Sequence, residues 1–465
     1  MRNVTRFDDT IAAISTPSGS GGIGIVRISG SGSLAVADKI FSSSKGPASE
    51  FATYTLHYGH VIDRRDPGSE RIVDEALLAV MRAPRSYTRE DVVEISCHGG
   101  PVAVREVLTL AMHAGARLAD PGEFTRRAFL NGRIDLTQAE AVMDIIRAKT
   151  SAGLRVSENQ LNGKLAQRLD AVRERIMQVY SRVEAALNFP ENGGEEGAEL
   201  TGGLDEIERD IRRLLQQSEQ GRLIREGVRV VLCGRPNVGK SSLLNAILRD
   251  ARAIVSEVAG TTRDVIEEYA NIQGVPVQLS DTAGILTPRD AIEEEAVRRS
   301  RASVSGADLV ILVVDAAQPW SQEDAGIAGH LKEQNVLVAL NKIDQVQRIS
   351  REHIEMFFPK KDIVPVSALT GGGLKDLEAM ILEKVLHEPH RAAEEMYLTN
   401  ARHIEALRET ADELTCLKNE KNEALPGEFI SERLTRAISC LDRITGRDID
   451  QDLLDKIFAD FCIGK

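Results

Sequence analysis

A chain of 465 residues, at roughly 100 to 200 residues per domain, implies about three domains and excludes a single small module. With 42% hydrophobic, 28% charged and only 4% aromatic residues, the composition is that of a globular protein and excludes wholesale disorder. The balance of 58 Lys and Arg against 71 Asp and Glu gives a net charge of −13, so nonspecific attraction to phosphate backbones or anionic membranes is not the main driver of binding, and a nucleic-acid partner needs a local patch or an adaptor.

Residues 1–122 alternate β-like runs (Ile11 to Ile14, Ile23 to Ile28, Ala76 to Met81, Val92 to Ser96) with helical stretches such as Val102 to His113, which predicts a small α/β domain. In residues 123–226 the apolar positions Leu154, Leu161, Leu165, Leu169, Val172, Ile176, Val179, Val183 and Leu187 keep to one helix face. They predict one long amphipathic helix that stops at Phe189-Pro190, a loop over Glu191 to Gly203, and a second helix from Leu204. Residues 227–388 alternate strand and helix, with buried-strand runs at Val228 to Leu232, Leu309 to Val314, Val336 to Leu340 and Ile363 to Val366, the pattern of a doubly wound parallel sheet. Residues 389–465 are helical again and end on Ile449, Leu453, Ile457 and Phe461 at steps of four. The helices on either side of the insert are expected to form one discontinuous helical domain, because neither set buries its apolar stripe alone.

Cys97, Cys233, Cys416, Cys440 and Cys462 are odd in number and lack C-x-x-C spacing, which argues against a disulfide framework or a zinc site and fits a reducing cytoplasm. Asp8 and Asp9 precede any apolar stretch, and a run such as Leu309 to Val314 is far short of the ~20 residues of a membrane span. The expectation is a cytoplasmic protein with neither a signal peptide nor a membrane span.

Gly234-Arg-Pro-Asn-Val-Gly-Lys-Ser241 satisfies G-x-x-x-x-G-K-[ST] between a strand and a helix. Its N–H groups, from Asn237, Val238 and Gly239 to Ser242, are suited to phosphate. Lys240 reaches the β and γ oxygens, and the Ser241 hydroxyl coordinates Mg²⁺. Downstream come Ser256-Glu257-Val258-Ala259-Gly260-Thr261-Thr262, with Thr262 able to complete the Mg²⁺ shell, and Asp281-Thr282-Ala283-Gly284. Asn341-Lys342-Ile343-Asp344 and Ser367-Ala368-Leu369 follow. Asp344 can accept both guanine N1–H and N2–H₂, a donor pair that adenine lacks, so the ordered series predicts a Ras-like P-loop GTPase domain that binds GTP. Ile285 stands where many GTPases place a water-orienting Gln, so hydrolysis must use another group, with candidates in the acidic segment Asp290 to Glu295.

These motifs, with Gly22 to Gly30, Ser86 to Pro101, Pro121 to Glu140 and Phe461-Cys-Ile-Gly-Lys465, resemble end to end the tRNA modification GTPase family known as MnmE or TrmE. The resemblance implies an N-terminal α/β domain that binds tetrahydrofolate (5-formyl or 5,10-methylene form) and forms a homodimer. It also implies a flavin-dependent partner of the MnmG or GidA family in a heterotetramer, and addition of an aminomethyl or carboxymethylaminomethyl group to C5 of the wobble uridine of certain tRNAs. Folate contacts carry over onto Arg27, Glu94, Arg133 and Lys465, and a role in the modification chemistry onto Cys462. Potassium-dependent hydrolysis carries over with Asn237, Ser256, Val258 and Thr261 as K⁺ contacts and Glu293 as the catalytic, water-orienting acid. Leu286, Ala296 and Asn188 depart from the family's usual Arg, Gly and Asp.

Two other readings compete. Gly19-Ser-Gly21-Gly22-Ile-Gly24 formally matches a dinucleotide fingerprint, but a β-like run follows it where a helix is required. A regulatory switch GTPase for ribosome or membrane traffic, without modification chemistry, would have no use for a folate site.

Overall fold

The computed structural model describes residues 8–66, 68–189, 203–250, 269–281, 303–386, 398–419 and 426–465. The N-terminal part runs β1 (Ile11–Ile14), β2 (Ile23–Ser29), α1 (Ser33–Ile40), β3 (Phe41–Ser42), β4 (Thr55–Asp63), β5 (Arg71–Met81), β6 (Val92–His98), α2 (Pro101–His113) and β7 (Arg117–Leu118). Its strands form a seven-stranded sheet in the order β3-β4-β5-β6-β2-β1-β7, antiparallel except for β1 with β7. One face, with Val26, Ile28, Leu78, Val80, Val93 and Ile95, packs under α1 and α2. The other face leaves Ile23, Leu56, Tyr58 and Leu77 exposed. Strand β4 escapes a sequence reading because its Leu, Tyr and His side chains alternate on an uncovered face and give no continuous apolar run.

The first helical stretch contains α3 (Glu123–Leu130), α4 (Leu136–Arg147), α5 (Ser151–Leu161), α6 (Lys164–Asn188) and α7 (Leu204–Glu226). The single long helix expected from Leu154 is therefore two. Asn162-Gly163 breaks it, with Gly163 in the left-handed conformation at φ 76°, where a glycine avoids the Cβ clash. The break falls within the four-residue step from Leu161 to Leu165, so the apolar spacing gives no sign of it, and Leu154 on α5 is exposed. Pro190 and residues 191–202 lie outside the described residues.

The inserted domain runs β8 (Val228–Cys233), α8 (Lys240–Asp250), β9 (Tyr269–Ile272), β10 (Val275–Asp281), β11 (Leu309–Asp315), α9 (Gln322–His330), β12 (Val336–Asn341), α10 (Arg351–Glu355), β13 (Ile363–Pro365) and α11 (Leu374–Leu386). Its six-stranded sheet has the order β13-β12-β11-β8-β10-β9. Five strands are parallel, as the buried apolar runs require, but β9 pairs antiparallel with β10 and corrects the expectation of a wholly parallel sheet. Gln273 and Gly274, both at positive φ, turn this hairpin.

The chain then returns to helix as α12 (Ala401–Asn419), α13 (Gly427–Thr445) and α14 (Gln451–Ala459). Leu165, Leu169, Val172 and Ile176 of α6, Ile207 and Ile211 of α7, Leu407 and Leu414 of α12, and Leu434 and Leu441 of α13 share one core, so the helical segments on either side of the insert close on each other. The last helix departs from the expected stripe: Leu454, Phe458 and Phe461 are buried, while Leu453 and Ile457 are only half-buried and Phe461 lies past the helix end. Steps of four overshoot a 3.6-residue turn, so a strict four-residue row drifts around the helix instead of holding one face. No described helix is long and apolar enough to cross a membrane.

Candidate functional site

Strand β8 delivers the chain into the loop Gly234–Gly239, and α8 starts at Lys240. The loop needs left-handed backbone at Gly234 (φ 143°), Asn237 (φ 64°) and Gly239 (φ 98°). A Cβ at Gly239 would lie 2.4 Å from the Asn341 amide nitrogen. Lys240 Nζ donates to the carbonyls of Gly234 and Arg235, both at 3.1 Å, so its ammonium spans the loop where anionic oxygens would sit. Ser241 Oγ donates to Asp281 Oδ2 at 2.6 Å. A hydroxyl and a carboxylate at the ends of α8 and β10 are the hard oxygen donors that suit Mg²⁺. Burial pushes the Cys233 thiol, just before the loop, up to about 12, and it is chemically inert.

At the base end, Asn341 is buried at the end of β12. Its Nδ2 donates to Val238 O at 2.9 Å and its Oδ1 accepts from Ala368 N at 3.1 Å. Lys342 adopts φ 66° and its Nζ donates to Asn237 O at 2.9 Å and Asp315 Oδ2 at 2.7 Å. Ser367 Oγ donates to Asp344 Oδ1 at 2.5 Å and accepts from Thr370 N. Leu369 is exposed beside them. The structure thus brings together Asn237 to Ser242, Asp281, Asn341, Lys342, Asp344 and Ser367 to Leu369. Ser256, Glu257, Val258, Ala259, Gly260, Thr261 and Thr262 lie outside the described residues, as do Thr282, Ala283, Gly284, Ile285, Leu286, Glu293 and Ala296.

A second cluster forms in the N-terminal sheet. Arg27 on β2 and Glu94 on β6 are register partners on the face turned away from α1 and α2, and Arg27 Nε donates to Glu94 Oε1 at 2.7 Å. The Arg27 guanidinium lies 5.6 Å from the centroids of both the Tyr87 and Phe124 rings, and that of Arg133 lies 4.8 Å from Tyr87. The chain's last residues are bound here: Arg27 Nη1 and Ser15 Oγ both donate to Gly464 O, and Phe124 N donates to Lys465 O at 3.1 Å. Gly464 takes φ 93°, and a Cβ there would meet Ile14 O at 2.2 Å, so only glycine allows the tail this close an approach. Cys462 is exposed beside it. Arg27 and Glu94 therefore pair directly, Arg133 shares the Tyr87 ring with Arg27, and the Lys465 backbone reaches Phe124 beside them, so residues more than 400 positions apart converge on one neighbourhood. A pterin's donor and acceptor edge suits Glu94 and a glutamate tail suits the arginines, so the donor set fits a folate.

Sequence reading missed the rings between these charges. Burial holds the Tyr87 hydroxyl above its ordinary value against the opposing pull of Thr125, Arg27 and Arg133, so it stays protonated, 2.9 Å from Thr125 Oγ1. Tyr87 and Phe124 sit inside the recognised segments, but only the fold brings them to Arg27. Asp324, 1% exposed, is a further residue without a sequence signal; it accepts from Arg235 Nε of the phosphate loop at 2.8 Å.

Residues 136–462 match the family model described as the MnmE helical domain, and residues 10–133 match the GTP-binding protein TrmE N-terminus. Among curated relatives, the tRNA modification GTPase MnmE of Carboxydothermus hydrogenoformans is 44% identical over 463 residues, covering 99% of this chain and 100% of its own. That of Alkaliphilus oremlandii is 43% identical over 462 residues, covering 99% and 100%, and that of Bacillus subtilis 43% over 463, covering 98% and 100%. With full-length relatives at 43 to 44% identity and a family model that spans most of the sequence, the chain belongs to the MnmE (TrmE) family of tRNA modification GTPases.

Proposed function

We propose that this GTPase is potassium-activated and that, with a flavin-dependent partner, it adds an aminomethyl or carboxymethylaminomethyl group to C5 of the wobble uridine of certain tRNAs, drawing the carbon from a tetrahydrofolate in the cytoplasm. The observation that carries this reading is the carboxy-terminal tail seated on Arg27, whose guanidinium also pairs with Glu94 and shares the Tyr87 ring with Arg133. A switch without modification chemistry has no use for such a cluster.

In the nucleotide site, Lys240 would exchange its two loop carbonyls for β and γ oxygens, and Ser241, with Asp281 beside it and Thr262, would hold Mg²⁺. Asp344 would accept from the guanine edge, held in place by Ser367. Bound Mg²⁺ and K⁺ supply positive charge against the oxygens that gain negative charge during cleavage. Asn237, Ser256, Val258 and Thr261 are the proposed K⁺ contacts, and Glu293 the group that orients the attacking water.

In the folate site, Glu94 orients the pterin edge, Arg27 and Arg133 hold the ligand's carboxylates, and the tail presents Cys462 and Lys465. The uncovered face, with Ile23, Leu56 and Tyr58 each more than half exposed, is continuous with this site through the row Arg27, Glu94, Ala79 and Leu56. Such an apolar surface suits a second copy of the chain, in keeping with a homodimer.

Removing Cys462 to Lys465 tests the reading. GTP hydrolysis should persist, because the nucleotide motifs lie between Gly234 and Leu369. Wobble-uridine modification in a reconstituted reaction with the flavin partner should vanish, and so should binding of 5-formyl-tetrahydrofolate. Full modification by the truncated chain would favour the switch reading.

A further inference from the structure

The corner between α4 and α5 touches elements that lead to both sites. Only Ala148 to Thr150 separate the two helices. On the nucleotide side, buried Thr150 caps α5 by accepting from Gly153 N at 3.1 Å and donates its hydroxyl to Gly274 O at 2.7 Å, at the turn of the β9–β10 hairpin. Lys149 Nζ lies 3.6 Å from the centre of the Tyr269 ring. Ala152 of α5 approaches the same turn so closely that a Cβ on Gly274 would lie 2.8 Å from the Ala152 methyl. Ala152 and Val156 share an apolar cluster with Val275, Val277 and Leu279 of β10. That strand ends at Asp281, whose carboxylate accepts from Ser241 of the phosphate loop.

On the folate side, Leu136, Ala139 and Met143 of α4 pack against Leu454, Phe458 and Phe461. Arg147, at the end of α4, donates to Asp460 O at 2.8 Å, two residues before Cys462. The tail beyond is fixed at Gly464 and Lys465 to Ser15, Arg27 and Phe124. A continuous set of packed and hydrogen-bonded groups therefore runs from Asp281 through Gly274, Thr150 and Arg147 to Asp460 and the tail.

We propose that the Arg147–Thr150 corner is a coupling element: it transmits the position of the β9–β10 hairpin, set by the nucleotide, to the tail that carries Cys462 and Lys465. Arg147 and Thr150 act as positioning residues and touch neither ligand. Close-packed contacts transmit small displacements because they leave no slack, and coupling of this kind is a free energy that acts in both directions. The value of a positioned tail rests on the folate reading above, but the test does not require folate.

Amide hydrogen exchange is followed at residues 461–465 in the full-length protein, loaded with GDP or with a non-hydrolysable GTP analogue. Wild-type exchange should differ between the two states by roughly fivefold or more, the lower range of ordinary coupling between sites. Thr150→Val, which keeps the branched shape but removes the hydroxyl, should abolish the difference. Arg147→Ala, at an exposed position that does not threaten folding, should do the same. Both variants should keep the wild-type single-turnover rate of GTP hydrolysis, and Thr150→Ser should restore the response. Identical exchange in the two nucleotide states of the wild type, or a full response in both Thr150→Val and Arg147→Ala, overturns the proposal. Failure of the wild type to bind 5-formyl-tetrahydrofolate counts against the folate site alone.

Discussion

Asn341 Nδ2 donates to Val238 O at 2.9 Å, so a buried amide, beside the Lys342 bond to Asn237 O, fastens the base-reading strand end to the phosphate loop. The same side chain accepts from Ala368 N, and three motifs distant in sequence depend on it. Asn341→Ala leaves the half-buried Ala368 N–H and the buried Val238 carbonyl without partners, the carbonyl alone costing about 1 to 3 kcal/mol. GTP and GDP affinity should fall together by roughly 5- to 150-fold, measured by equilibrium titration. An unchanged affinity would show that the loop holds its shape without this clamp.

Asp344 should fix the choice of base. Its Oδ1 is occupied by Ser367 Oγ, which orients the carboxylate. Asp344→Asn turns one acceptor into a donor, which clashes with guanine and matches the C2 carbonyl of xanthine. A mismatched buried polar pair costs on the order of 1 to 3 kcal/mol, so preference should move from GTP towards xanthosine triphosphate by one to two orders of magnitude. Competition between the two nucleotides reads this directly.

Asn237 combines a proposed K⁺ contact with left-handed backbone and a carbonyl that accepts from Lys342. Asn237→Gly removes the side chain while tolerating that backbone. Hydrolysis by the wild type should be faster in KCl than in NaCl at equal ionic strength, and the variant should lose most of that advantage. Equal rates for the wild type in both salts would remove the potassium assignment. Glu293→Ala should slow turnover by roughly 10² or more with little change in affinity; if Glu294→Ala carries the loss instead, the water-orienting acid is its neighbour.

Glu140 on α4 lies buried against His403 Nε2 at 2.6 Å and Arg402 Nη2 at 3.0 Å, where the helical segments before and after the inserted domain meet. Burial alone would raise its carboxyl, but His403 and Arg402 outweigh that and hold it at about 2 against an ordinary 4.5. A carboxyl held low contributes stability that is fully present above its ordinary value of 4.5 and is lost as pH falls through the lowered one. Glu140→Gln should lower the melting temperature at neutral pH and flatten the acid limb of the stability curve. Circular dichroism melts of the two proteins that decline in parallel between about pH 5 and 3 would exclude this role.

The sequence by itself determined the chemistry that needs only short spacing. A strand, a glycine-permitted loop and a helix start specify the phosphate site within residues 228–250, and the order of Asp281, Asn341 to Asp344 and Ser367 specifies a guanine nucleotide, because each motif lies at the end of a buried apolar strand. What periodicity misjudged lies where tertiary contact overrides local pattern. The break at Gly163 depends on a left-handed residue inside an otherwise continuous helical stripe. The antiparallel β9 depends on a two-residue turn, and β4 on an alternating face that no helix covers. The stripe of α14 was displaced because the true helical period decides which residues face α4. The second cluster was legible only through family resemblance, since no local spacing links Arg27, Glu94, Arg133 and Lys465. Strand register sets Arg27 opposite Glu94, α3 brings Phe124 to the tail, and closure of α14 on α4 carries the last residues across the molecule. Only the folded chain decides that neighbourhood, because it arises from burying apolar faces contributed by segments hundreds of residues apart.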